Sequence, residues 1–237
     1  MNKYLVVMIS LAAALDMKAN AQLVLGDTYN TGYSGVVALA PGATDTDFTI
    51  ISAPVGQSTG INPVVPTIQP SVWFTSPTAQ YISPSTDQHY PPDPAYGGDL
   101  PGNYDYQSIL GTDFIVPTDV TFTGSYAADN TASVEIGGNI VTTTLTPPNS
   151  DFSGPLVPFT FTLLVGSGVQ NTSVDFIVEN YNSDNSSPQN SDGLDNPTGL
   201  IVSNLRATAP EPSTYAMLVA GLGALLLVKR VRRATSL

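Results

Sequence analysis

Between residues 48 and 205 the chain shows short Val/Thr/Phe/Ile-rich runs, several with a period of two, separated by Gly, Pro, Asn and Asp. Residues 173–179 alternate most cleanly, placing Val174, Phe176 and Val178 on a core face and Asp175 and Glu179 on the opposite one. In residues 119–124 Val120 and Phe122 share a side, and in 159–165 Phe159, Phe161 and Leu163 do. Runs at 133–136 and 140–145 flank Gly137-Gly138-Asn139, a tight-hairpin signal, because those residues accept the positive φ of such turns. Residues 48–52, 104–110 and 199–205 complete the set. The body, 22–209, contains no convincing amphipathic helix. Strands with one apolar face must bury it against another layer, so the pattern predicts two packed antiparallel sheets. About 188 residues suffice for a substantial core. The expected class is an all-β antiparallel sandwich.

The two ends differ from this body. Lys3 precedes an apolar run over 4–15, and Ala19-Asn20-Ala21 is a small-x-small cleavage site. Residues 1–21 therefore read as a secretory signal, cut by signal peptidase to leave Gln22 first. At the other end Pro210-Glu211-Pro212 precedes an uncharged stretch over 215–228, then the basic cluster of Lys229, Arg230, Arg232 and Arg233. Fourteen helical residues span about 21 Å, short of the roughly 30 Å hydrocarbon core. Ser213 and Thr214, with the first basic side chains snorkelling, extend the stretch to a short transmembrane helix. The basic cluster stays cytoplasmic, leaving the body outside the inner membrane. A permanent one-pass anchor is the alternative.

This order of motif, apolar stretch and basic tail over 210–237 resembles the PEP-CTERM sorting signal of Gram-negative bacteria. The resemblance implies recognition and cleavage by an exosortase, with an inner-membrane intermediate before the cell surface or extracellular matrix. Within the body, Tyr104-x-Tyr106, Phe114-x-Val116-Pro117, residues 124–130 (GSYAADN), Phe159-Thr160-Phe161, Asn171, Asp175-Phe176-x-Val178-x-Asn180 and residues 196–200 (NPTGL) form a second pattern. It is similar to the domain often found ahead of such signals, a galactose-binding-like jelly roll. That resemblance implies a jelly-roll topology and, by fold analogy alone, carbohydrate binding. It covers about 100–209; residues 24–72 fall outside it, as extra strands of the same sandwich or a small preceding subdomain.

Composition narrows the chemistry. The chain has 237 residues, a formal charge of −12 and no cysteine. Between 22 and 209 one basic residue, Arg206, stands against 17 acids. Such a body repels nucleic acid and anionic surfaces, so nucleic acid is excluded as a partner and the membrane enters only through the C-terminal segment. Without cysteine there are no disulfides, thiolate nucleophiles or thiolate-ligated metals. A lone histidine, His89, leaves little for the usual acid–base work, and no nucleophile-elbow sequence accompanies it.

Two loops carry the remaining candidates. Residues 77–103 combine six prolines with Tyr81, Tyr90 and Tyr96, whose rings suit the CH faces of sugars. The competing reading is a proline-stiffened cover with its tyrosines packed inward, and Trp73 is read as core. Residues 181–197 carry Asp184, Asp192 and Asp195 among amides and hydroxyls, an oxygen-rich set of the kind that wraps calcium, although the spacing is not an EF-hand's. A solvated connector is the alternative. The expected function is a non-catalytic surface or matrix protein binding extracellular polysaccharide. The alternatives are a glycoside hydrolase using paired carboxylates and a purely structural matrix protein.

Overall fold

The computed structural model describes residues 22–71, 73–86, 88, 99–143, 154–180 and 197–210. Twelve strands, and no helix, occur among these residues. One sheet is built on three long strands or strand pairs: β6 (Gly102–Phe114), β11 (Gly168–Asn180) and the hairpin of β8 (Thr131–Ile136) with β9 (Asn139–Thr143). β11 lies between β6 and β8, antiparallel to both. The facing sheet runs β10 (Val157–Val165), β7 (Thr118–Asp129), β12 (Gly199–Thr208) and β2 (Thr28–Tyr29), again antiparallel. From β6 onward every connection except the β8–β9 hairpin crosses between the sheets, as in a jelly roll. Gly137 and Gly138 make that hairpin at φ 55° and 77°, the backbone region the sequence predicted for them.

The period-2 faces become the core. Val120, Phe122, Val174, Phe176 and Val178 are all fully buried, and Phe161 packs against them while partly exposed. At the centre the Phe176 ring makes edge contacts with Phe48, Tyr126 and Phe159 at centroid distances of 6.2, 5.9 and 6.0 Å. These offset geometries suit ring quadrupoles and join both sheets. Asp175 departs from expectation: it is on the outer face, yet only 8 % exposed, with its Oδ1 accepting a hydrogen bond from Gln107 Nε2 at 2.8 Å.

Residues 22–83 belong to the same sandwich. β1 (Gln22–Leu23) runs parallel to β6, and β5 (Thr49–Ser52) pairs with β6 antiparallel on an adjoining stretch. β2 takes the edge of β12, and Thr31 and Ile82 extend that pairing to Val202 and Leu200. Trp73, Ala79 and Tyr81 then fold over Ala127 and Ile201, giving this sheet a second small core on its outer face. That cover explains why β12 is buried without alternation from Gly199 to Ser203. No helix among the described residues is long and apolar enough to cross a membrane; residues 211–237 and 1–21 lie outside them.

Candidate functional site

Beside β2 a cleft of about 670 Å³ opens, lined by Asp27, Tyr29, Asn30, Tyr33, Asp47 and Thr78, among others. Its walls are held by backbone and amide contacts. Asn30 Oδ1 accepts from the Asn204 amide at 2.8 Å, fixing an irregularity in β12 where Asn204 sits at φ 56°. Such bulges redirect a strand at a functional edge. Gly32, at φ 70°, donates its amide to Asp45 Oδ2 at 2.7 Å, while its carbonyl accepts from Gln80 Nε2 at 2.7 Å. A Cβ there would meet Gln80 Cβ at 2.6 Å, so glycine is required. This clamp orients the hairpin of β3 (Tyr33–Ser34) and β4 (Val37–Ala38). Tyr33 Oη donates to the Pro77 carbonyl at 3.1 Å across the cleft.

The electrostatics are acidic. Burial raises the pKa of Tyr29, and the carboxylates of Asp27 and Asp47 raise it further, while the Val24 amide donated to its oxygen at 2.7 Å opposes them. Desolvation raises Asp47. Asp45 behind it, buried and accepting from the Gly32 and Asp47 amides, is pushed up to about 6 by burial. Two partly exposed tyrosine rings, two carboxylates and the hydroxyl of Thr78 can stack on a sugar ring and accept from its hydroxyl or ammonium groups.

The sequence candidates fall differently. Tyr81 is 1 % exposed and its ring lies 4.2 Å from that of Trp73, so it closes the cover over the sheet and is no surface platform. Trp73 is core, as its size suggested, and donates Nε1 to buried Asp129 at 2.8 Å. Tyr90, Tyr96, Asp184, Asp192 and Asp195 lie outside the described residues, as do Glu211, Pro212 and the basic cluster Lys229, Arg230, Arg232 and Arg233; Pro210 is described and exposed. The ends of both candidate loops nevertheless meet in one polar knot. Asp99 Oδ2 accepts from Gln88 Nε2 at 2.6 Å, Gln88 Oε1 accepts from the Thr198 amide at 2.7 Å, and Asn180 Nδ2 donates to the Asp99 carbonyl. Burial pushes the Asp99 carboxyl up to about 6. The cleft itself was missed in sequence; its only signal is the run Asp27–Gly35, DTYNTGYSG, where two tyrosines recur among turn formers.

Comparison with known proteins bears on the C-terminal segment more than on the cleft. No curated protein matches the chain in sequence. Among solved structures, a family 35 carbohydrate binding module from an environmental isolate is 14 % identical, with 69 % of this chain and 96 % of that one covered at a TM-score of 0.26. A variant of the exo-β-1,3-galactanase from Phanerochaete chrysosporium with β-1,3-galactotriose is 13 % identical over 71 % of this chain and 30 % of that one, at a TM-score of 0.23. Overlaps this loose carry no argument about function. Residues 208–233, however, match the PEP-CTERM protein-sorting motif, the segment in which Pro210-Glu211-Pro212, the apolar stretch and the basic cluster follow one another. By that motif the chain is exported, exosortase-sorted and anchored in the membrane before processing, and its body is an antiparallel β-sandwich.

Proposed function

We propose that the body is a non-catalytic module that binds extracellular polysaccharide in the cleft between β2, the β3–β4 hairpin and Pro77-Thr78. The observation that supports it is the grouping of Tyr29 and Tyr33 with Asp27, Asp47 and Asn30 in one cleft of about 670 Å³. With a single arginine against 17 acids in the body, neutral or amine-bearing sugars suit it better than anionic ones. In the same reading signal peptidase frees Gln22, exosortase removes the C-terminal segment, and the product resides at the surface or in the extracellular matrix of a Gram-negative bacterium. Calcium at Asp184, Asp192 and Asp195 belongs to this proposal on composition.

A glycan array followed by calorimetry on the strongest neutral or amine-bearing hit tests it. Tyr33→Ala should weaken binding at least about tenfold, equivalent to about 1.4 kcal/mol. Tyr33→Phe should keep most of the affinity, because stacking needs the ring and not the hydroxyl. Absence of any glycan hit, or equal affinity in the Tyr33→Ala protein, would refute the cleft as the site.

One observation favours a hydrolytic reading: Asp27 and Asp47 line the same cleft and desolvation raises Asp47, as suits a general acid. Release of reducing sugar ends, abolished in Asp47→Asn, would replace the binding proposal by that one.

A further inference from the structure

The sandwich has a distinct end from which the sorting segment leaves. β12 is antiparallel to β7, with Thr208 opposite Thr121, so Pro210 emerges beside the first residues of β7. The same end is formed by two turns that cross from sheet to sheet. One, residues 115–117, joins β6 to β7; the other, residues 166–167, joins β10 to β11. Their neighbourhood is set by register, with Phe114 opposite Gly168 in one sheet and Thr118 opposite Val165 in the other. Both turns lie within about two strand spacings, or roughly 10 Å, of the exit strand.

The 115–117 tip is apolar and bare, and past the Gly166-Ser167 turn β11 presents exposed Val169 as its second residue. Ile115 is 98 % exposed and Val116 62 %, with Pro117 exposed next to them, and Val169 is 78 % exposed on the outer face of its sheet. Isolated exposed aliphatics need no explanation, but a cluster on one end of a sandwich does. Only four residues, 211–214, separate Pro210 from the apolar stretch starting at Tyr215, a reach of at most about 18 Å. While the chain is anchored in the membrane, this end is therefore the one held against the bilayer. Exposed Asp113 and Asp119 flank the tips and disfavour an anionic lipid surface.

We propose that Ile115, Val116 and Val169 insert into the interface of a zwitterionic phospholipid surface and stand the sandwich upright on the membrane before the sorting segment is removed. Aliphatic side chains on a tip gain by entering the headgroup–acyl boundary, about 5–10 Å deep. The long axis, given by the 13 residues of β6 at about 3.3 Å each, then carries the opposite end roughly 40 Å away. Val55 marks that far end: it is 100 % exposed, and its neighbour Pro54 packs on Gly102, the first residue of β6.

The test uses the full chain reconstituted in phosphatidylcholine vesicles containing a brominated lipid, which quenches indole fluorescence on contact. Trp73, the only natural tryptophan, is buried and supplies a constant background. Ile115→Trp and Val169→Trp should each lose at least half of their added emission. Val55→Trp should lose none. Absence of quenching at both tip positions would overturn the proposal, and quenching at Val55→Trp equal to that at the tips would overturn the upright orientation. Replacing the carrier lipid with phosphatidylglycerol at low salt should reduce quenching at the tips; equal or stronger quenching there would overturn the zwitterionic assignment.

Discussion

Asp129 ends β7 beneath the aromatic cover, buried, with the indole of Trp73 donating to its Oδ2. Burial pushes its carboxyl up to about 7 from an ordinary 3.8, and the indole hydrogen bond only partly opposes that. The sign of the effect on stability is the reverse of the usual aspartate case. Between pH 3.8 and 7 the folded chain binds more protons at this site than the unfolded chain, so stability falls as pH rises through that window and levels off above it. At 1.36 kcal/mol per pH unit, ionised Asp129 costs about 4 kcal/mol at pH 8 and only about 0.5 kcal/mol at pH 4. An amide of the same shape can still accept from Trp73 and carries no charge at any pH. Asp129→Asn should therefore stabilise the fold by about 4 kcal/mol more at pH 8 than at pH 4, since any packing change is common to both. Urea unfolding of both proteins at pH 4, 6 and 8 measures this, with Trp73 fluorescence as a local probe and far-ultraviolet circular dichroism as a global one. A stability difference between the two proteins that stays constant across pH would refute the argument, because it would mean that Asp129 ionises as easily folded as unfolded.

Other parts of the structure give further expectations. Truncating Phe176 to Ala removes three edge-on ring contacts at the centre of the core and should cost about 3–5 kcal/mol in the same urea assay. A loss under about 1 kcal/mol would contradict its place between the sheets. Gly199→Ala should destabilise by about 1–3 kcal/mol, since a Cβ there would meet the Trp73 and Tyr81 rings at 2.5 and 2.9 Å; an unchanged melting temperature would show that the cover yields freely. Mass spectrometry of the mature surface protein should find Gln22 first and residues 215–237 missing, whereas an intact C-terminus would mean a permanent anchor. Calcium should raise the melting temperature beyond the effect of sodium at equal ionic strength, with the rise lost in Asp184→Asn combined with Asp192→Asn. Full reproduction by sodium would exclude a specific site.

What could be read from residues alone was whatever repeats locally. Strands β7, β10 and β11 announce themselves by alternation, because each buries one face and the side-chain period of a strand is two. The Gly137-Gly138 turn needs only its own two glycines. The sorting segment is legible because a membrane and an exosortase read a linear stretch, independent of folding. Of residues 22–83 only the run at 48–52, which becomes β5, was legible. Their strands are as short as two residues and take their partners from β6 and β12, far along the chain, so no local period marks them. Tyr81 illustrates the same limit. A tyrosine in a proline-rich loop suits a sugar platform or a core ring equally well, and only the position of Trp73 against it decided the matter. Asp175 sits on the outer face that alternation assigns it, but its burial depends on Gln107 of the neighbouring strand. The cleft was decided by tertiary structure for the same reason: Tyr29, Tyr33, Asp47 and Thr78 share it only because β2 pairs with a strand some 175 residues away.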